Sequence, residues 1–337
     1  MPTELILGFA MAGTFVLYSL FGGADFGGGV WDLLASGPRK AEQRALIARA
    51  IGPVWEVNHV WLIVGLVLLF SGFSRAFAVL TVALHVPLTL LLLGIVFRGT
   101  AFTFRTYDAR GDRVQRRWGL VFSVASVISP ALLGMCVGAV VSGSIHVEGR
   151  AVVSGFFQPW LTPFALAVGA LALCLFAFLA AVYLSAEADT EPLREDFRRR
   201  ALGAGGAVFV AAFGVLLLAR EGAPRVWGGL FHEPFALAVH AVTAVAAVAT
   251  FVLLWRRRFP WARVTAATQV GFIVLGWAAS QYPYLVVPDL TLQDAAASPP
   301  VLRLLLVALA VGLLTVVPSI VLLLRVFQAR PPQGQQR

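Results

Sequence analysis

The chain has 337 residues, 59% of them hydrophobic and 13% charged, with a formal net charge of +9. Soluble domains carry about 25% charged residues, and a chain this apolar cannot hide its surface in one aqueous core, so the bilayer is its solvent. The arginines cluster in short connections between apolar runs, as the positive-inside bias requires, so the basic balance reports membrane topology and not a nucleic-acid partner.

Apolar runs follow in chain order at about 5–33, 53–73, 76–99, 118–142, 160–185, 201–219, 234–255, 262–282 and 301–326. Each reaches or nearly reaches the roughly 20 residues that cross about 30 Å of hydrocarbon. They consume almost all the length. The expectation is an all-α polytopic membrane protein of about nine helices, one transmembrane domain over 1–327, with a polar cytoplasmic tail at 328–337. The start, Met1-Pro2-Thr3-Glu4, lacks the basic region of a signal peptide, so the first run is expected to be retained as a helix.

Lys and Arg alternate between the connections. Twenty fall in one set, from Arg39, Lys40, Arg44 and Arg49 through Arg194 to Arg200 and Arg256 to Arg263, and five in the other: Arg75, Arg150, Arg220, Arg225 and Arg303. The expected topology in a cytoplasmic membrane has the N-terminus outside and the C-terminus inside. Trp31, Trp55, Trp118, Trp160, Trp227, Trp255 and Trp261 fall near the expected helix ends, the depth amphipathic rings prefer. The mixed-charge stretch 186–200 reads as a solvated cytoplasmic turn. Cys136 and Cys174 lie inside apolar runs without ligand spacing and read as small buried hydrophobes, so no metal site is expected.

An ionisable group inside a membrane helix costs several kcal/mol unless paired or wetted, so each one needs a reason. The first run carries Gly22-Gly23-Ala24-Asp25-Phe26-Gly27-Gly28-Gly29-Val30-Trp31-Asp32. Its glycines remove side chains and permit close approach of another backbone or a ligand. Asp25 and Asp32 are seven apart and share a face; Asp32, near the boundary, reads as solvated, and Asp25 lies deeper. No GxGxxG spacing or preceding strand is present, which excludes a dinucleotide site. The second run opens Gly52-Pro53-Val54-Trp55-Glu56-Val57-Asn58-His59-Val60-Trp61. Glu56 near a helix start suits the macrodipole, but Glu, Asn and His within four residues exceed what a cap needs. The third run closes Phe97-Arg98-Gly99-Thr100-Ala101-Phe102-Thr103-Phe104-Arg105. Arg105 can snorkel to the headgroups, whereas Arg98, about 10 Å deeper, is expected to meet a carboxylate.

The loop charges place Asp25, Glu56, Asn58 and Arg98 at similar depth on the cytoplasmic side. An Arg between two carboxylates offsets its own desolvation. The cluster reads either as a proton entry or as an ion-pair lock on three helices. Among the histidines, His85 sits in mid-run before Pro87 and could ligate a haem, but a lone membrane His is more often hydrogen-bonded to a neighbouring helix; His240 is similar. His146 and His232 fall near outer loops. Gln158, Gln269 and Gln281 are candidate interhelical partners.

Three ordered motifs, Gly23-Ala24-Asp25-Phe26-Gly27, Trp55 to Trp61 with Glu56 and Asn58, and Phe97 to Arg105, resemble subunit II of the cytochrome bd-type quinol oxidases. They cover the first third; the remainder is similar in helix count and length. The resemblance implies two four-helix bundles plus one peripheral helix and a haem-bearing subunit I as partner, with small accessory subunits left open. It further implies haems b and d in that partner, quinol as substrate of the complex, none of these cofactors held by this chain, and reduction of oxygen to water in subunit I. It places Asp25, Glu56 and Arg98 on a cytoplasmic proton path. In two places the chain departs from the family pattern: Gly22 stands where a second Asp is frequent, and Thr103 where Glu or Asp is common. Thr103 can hold a water but cannot ionise at neutral pH, which leaves a route through His59 or a path that is unimportant here. Outside the resemblance, a secondary transporter with broken helices and a purely structural scaffold are the alternatives.

Overall fold

Within a bilayer every backbone amide must be satisfied internally, so apolar runs of this length fold as helices. The computed structural model describes residues 2–107, 112–149 and 151–328, except for the side chains at 53, 56, 105–107, 112–116 and 323–328. In chain order the elements are α1 (Thr3–Leu33), α2 (Lys40–Val67) continuing through a π turn (Leu68–Gly72), α3 (Ser74–Ala83), α4 (His85–Tyr107), α5 (Asp112–Ser142) and a hairpin of β1 (Val147–Glu148) and β2 (Ala151–Val152). Then come α6 (Pro163–Glu187), α7 (Glu191–Gly222), α8 (Pro224–His232), α9 (Ala236–Trp255), α10 (Phe259–Ser280), β3 (Tyr284–Val286), β4 (Leu290–Thr291), α11 (Leu292–Ala295) and α12 (Pro299–Gln328).

Among the described residues, eight helices are long and apolar enough to span a membrane, and the bent pair 40–52 and 57–72 makes a ninth. The chain is therefore an all-α multi-pass membrane protein of about nine spans. Helices α1, α2, α4 and α5 associate into one four-helix group, and α6, α7, α9 and α10 into another. The groups meet through α1 and α5 against α6, and α1 against α10, while α12 lies outside against α1, α2 and the π turn.

Several expected boundaries move. The third span is not continuous over 76–99: α3 ends at Ala83, Leu84 leaves helical geometry, and α4 begins at His85. Pro87 brings no amide N–H to the Ala83 carbonyl, so a helix passing through this point loses a rung and restarts. His85 is thus a helix start rather than a mid-helix residue, and α4 runs on to Tyr107, which puts Arg98 in its middle. The second span starts at Lys40, not 53, and takes up Arg44 and Arg49. The stretch 186–200 is not a turn: α6 ends at Glu187, and 191–200 form the first turns of α7, led by Pro192. Ion pairs Arg198–Glu195 and Arg199–Glu195 run along that helix. The tail at 329–337, and with it the expected tail beyond Gln328, lies outside the described residues, as does the Arg105 side chain.

Among the described residues, the arginine-rich connections after α1, α6 and α9 come together at one end of the bundle through ion pairs. There Arg39 meets Asp196 (2.6 Å), Arg49 meets Asp189 (2.6 Å), Arg257 meets Glu191 (2.6 Å) and Arg263 meets Glu187 (2.8 Å). At the other end short hairpins and α11 close over the helices. The Val147 amide donates to Asp289 (2.8 Å), the Ala297 amide to the Gly72 carbonyl (2.8 Å), and Arg75 to the Gly149 carbonyl (3.1 Å). These small strands were not expected from hydropathy, because each is only two or three residues long within a connection too short to read as a span.

Trp255 and Trp261 are exposed near helix ends, as interfacial rings should be. Trp31 and Trp160 are buried instead. Trp31 donates through Nε1 to the Ala177 carbonyl at 2.7 Å, tying α1 to α6.

Candidate functional site

The glycines of α1 decide where charge can be buried. A Cβ at Gly27 would stand 2.0 Å from the Phe176 carbonyl oxygen of α6, and one at Gly29 would stand 2.1 Å from Ser126 Oγ of α5. Side chains at those positions would push the neighbouring helices away. With glycine there, α1 lies in backbone contact with both neighbours, and Asp25 projects into a protein interior instead of lipid.

Asp25 is 0% exposed and Arg98 of α4 is 1% exposed. Arg98 Nη1 donates to Asp25 Oδ2 at 2.7 Å, and Nη2 donates to Asp25 Oδ1 and, at 2.9 Å, to the Asp25 carbonyl. Arg98 Nε donates to Ser126 Oγ at 2.9 Å, and that hydroxyl donates to the Phe122 carbonyl at 2.7 Å. The guanidinium is sandwiched by Phe26 (4.7 Å to the ring centre) and Phe122 (4.9 Å). A fork-to-fork pair with its remaining donors engaged and both faces covered is the geometry in which a buried charge is tolerated. Asn58 of α2 joins from a third helix, its Nδ2 donating to Asp25 Oδ2 at 3.3 Å.

The structure thus brings together Asp25, Asn58 and Arg98, and adds Ser126, which sequence reasoning missed. Serines at 123, 126 and 129 of α5 are all buried and share a face by their spacing of three; that periodicity was the available signal. Glu56 lies on α2, but its side chain is outside the described residues. His59 is not drawn into the cluster: its Nδ1 lies 2.7 Å from the Trp55 carbonyl and its ring stacks edge-on against Trp55. Thr103 is exposed and donates back to the Gly99 carbonyl at 3.1 Å.

Asp32 is the clearest correction. It is not solvated but 1% exposed. Ser123 Oγ donates to Asp32 Oδ2 at 3.0 Å, and Arg44 Nε stands 3.7 Å from Oδ1. The helix end expected to be solvated is instead covered by the early turns of α2, from which Arg44 reaches Asp32. His85, at the start of α4, lies 2.9 Å through Nδ1 from the Val82 carbonyl near the end of α3, and His240 lies 2.7 Å from the Ala236 carbonyl of its own helix. Gln158 is exposed, and Gln269 and Gln281 are buried with Oε1 atoms unpartnered among the described residues. The same is true of Asn58 Oδ1, beside the cluster, and of Trp61 Nε1, one turn further along α2. Among the described residues no group of three or more His, Cys, Asp or Glu is arranged to hold a metal ion.

Residues 3–327 match the family of cytochrome bd terminal oxidase subunit II. A Bacillus subtilis relative assigned as a cytochrome bd menaquinol oxidase subunit II is 22% identical over 94% of this chain and 93% of its own. Another from Bacillus subtilis, cytochrome bd ubiquinol oxidase subunit 2, is 27% identical over 58% of this chain and 57% of that one. A chain of the bd oxidase from Geobacillus thermodenitrificans superimposes with a TM-score of 0.83 at 25% identity, covering 98% of this chain and 100% of that chain. The ordered motifs, the nine-span architecture and a match along nearly the whole length agree, and the chain belongs to the cytochrome bd oxidase subunit II family, whose members are subunits of a quinol-oxidising respiratory enzyme.

Proposed function

We propose that this chain pairs with a haem-bearing subunit I in a quinol:oxygen oxidoreductase and carries protons from the cytoplasm toward the oxygen-reducing centre. The cation-rich end faces the cytoplasm in this reading, in line with the positive-inside bias. The haems and the quinol site belong to the partner, and this chain supplies packing and a protonatable interior.

The observation that carries the reading is the fully buried Asp25–Arg98 pair, held across α1 and α4 and joined by Asn58 from α2. A buried ion pair is weak evidence for stability, since well-packed hydrophobic residues of like volume serve as well or better. Ionisable groups inside membrane helices instead recur on ion and proton paths. Support also comes from Asn58, whose Nδ2 donates to the carboxylate while its buried Oδ1 keeps hydrogen-bonding capacity beside it. Arg98 acts by holding Asp25 in place and lowering the cost of its charge. Asp25 is the group that exchanges a proton, with Glu56 as its companion on α2.

A second reading, an ion-pair lock on three helices, is favoured by how completely the Arg98 donors are engaged. The two separate in the assembled complex. Asp25→Asn and Glu56→Gln are expected to lower oxygen-reducing turnover while haem content and subunit ratio stay normal. Unchanged turnover in both variants, with normal assembly, leaves only the lock. Family membership weighs against the transporter reading, and uptake by this chain alone in vesicles would reopen it.

A further inference from the structure

The stripe 22, 25, 29 and 32 on α1 reads Gly, Asp, Gly, Asp, and spacings of three and four place these positions on one helix face. From Asp25 to Asp32 that face lies against the serine face of α5, while Gly22 faces Asn58 of α2. Ser126 meets it at Gly29 and, through Arg98, at Asp25; Ser123 meets it at Asp32. No side chain stands on α1 between the two carboxylates along this seam, because position 29 is glycine. The rise along α1 from Asp25 to Asp32 is about 10 Å. Asp32 is the nearer of the two to the cation-rich end. Arg44, 35% exposed on its side chain, reaches over it from α2, donating to the Asp32 carbonyl (3.4 and 3.3 Å) and standing 3.7 Å from the carboxylate.

A helix end could be fixed by a neutral group. A carboxylate taken out of water costs several kcal/mol unless it is paired, and here it is paired on one side with a half-exposed cation and on the other with a hydroxyl that leads inward. We propose that Asp32 is the entry carboxylate of this chain, taking protons from water at the Arg44 side and delivering them along the α1–α5 seam to Asp25. The step balances as a proton relay. The Asp32 carboxylate accepts one proton from water at the mouth. The neutral acid then donates to Ser123 Oγ while the Ser123 hydroxyl gives its own hydrogen to a water in the α1–α5 seam; that water hands a proton to the Asp25 carboxylate, so Asp32 returns to the carboxylate and the hydroxyl and the water are restored. The charge of Arg44 lowers the cost of a carboxylate at a buried site and fixes its orientation. This role rests on the relay reading of Asp25, and it gives the chain a second carboxylate on α1 even though Gly22 removes the one expected there.

The test uses the assembled oxidase with quinol and oxygen. It compares Asp32→Asn, Asp32→Glu, Ser123→Ala and Asp25→Asn for turnover, haem content and the solvent deuterium isotope effect. The expected result for Asp32→Asn is a loss of roughly tenfold or more in turnover, with unchanged haem content and a raised isotope effect, because proton entry becomes limiting. Asp32→Glu should recover most of the rate, and Ser123→Ala should show a smaller loss with the same isotope signature. If Asp25→Asn slows turnover and Asp32→Asn does not, the entry role is overturned while the Asp25 relay stands. If neither slows it, both fall. If Asp32→Asn fails to assemble, Ser123→Ala and Asp32→Glu decide: a wild-type rate and isotope effect in Ser123→Ala overturns the proposal.

Discussion

Replacing Asp25 by Asn, Arg98 by Gln, and both together isolates the energy of the buried pair. Removing one member of such a pair strands the other, at a cost of about 3–5 kcal/mol. The two singles differ in what remains. In Asp25→Asn the guanidinium keeps the residue-25 carbonyl, Ser126 Oγ and the faces of Phe26 and Phe122. Each ring contact is worth roughly 0.5–2 kcal/mol, so this loss falls near the low end, about 3 kcal/mol. In Arg98→Gln the carboxylate keeps Asn58 Nδ2 at 3.3 Å, so the loss falls near the upper end, about 5 kcal/mol. The double variant leaves two neutral amides, strands no charge, and should be less damaged than either single. The assay is a temperature ramp on the purified complex, following retained haem and the intact subunit pair. A double variant as unstable as the two singles summed would refute the geometry, since residues that do not interact contribute additively.

Gly27→Ala should prevent α1 from reaching α6, because the new methyl would sit 2.0 Å from a backbone oxygen; overpacking costs about 1–3 kcal/mol or more, read as lost yield of folded protein. Gly13→Ala, which meets nothing within 4 Å, should instead gain up to about 1 kcal/mol of helix propensity in the same measurement. Asp196→Asn should lose the paired contacts from Arg39 and Gln43, and the difference from wild type in thermal stability should shrink as salt rises, because the Arg39 side of this pair is open to solvent. At the opposite end, Asp294 is held below the usual carboxylate range chiefly by the Thr291 hydroxyl, with the Thr291 amide second. A lowered value means that the capping box contributes above the ordinary carboxylate range and fades as pH falls through the lowered one. Hydrogen exchange over 291–296 should therefore speed up on acidification, and Thr291→Ala should move that onset to higher pH; an onset unmoved by the variant would contradict the cause.

Hydropathy and loop charge were enough to read the multi-pass helical class, because the bilayer imposes both. Among the described residues, the arginine-rich connections after α1, α6 and α9 meet at one end of the bundle. Local exceptions escaped because each depends on tertiary context. The break at Leu84 needs Pro87 to be read as a helix start rather than a kink. The first turns of α7 look like a loop by composition, and only the pairing of Arg198 and Arg199 with Glu195 makes those charges helical. Asp32 looked wet because it lies at a helix end, and the fold of α2 over that end is a long-range fact. The meeting of Asp25 with Arg98 was expected from the cost of leaving a membrane arginine unpaired. Ser126 was not, since a serine alone carries no such cost.

The most direct measurement is proton uptake from the cytoplasmic side of the assembled oxidase in sealed proteoliposomes, timed against electron transfer to oxygen. With Asp25→Asn, uptake and turnover should slow together while haem content and quinol binding stay at wild-type levels. Uptake at the wild-type rate in that variant, in a fully assembled complex, would contradict a proton path through the Asp25–Arg98 cluster.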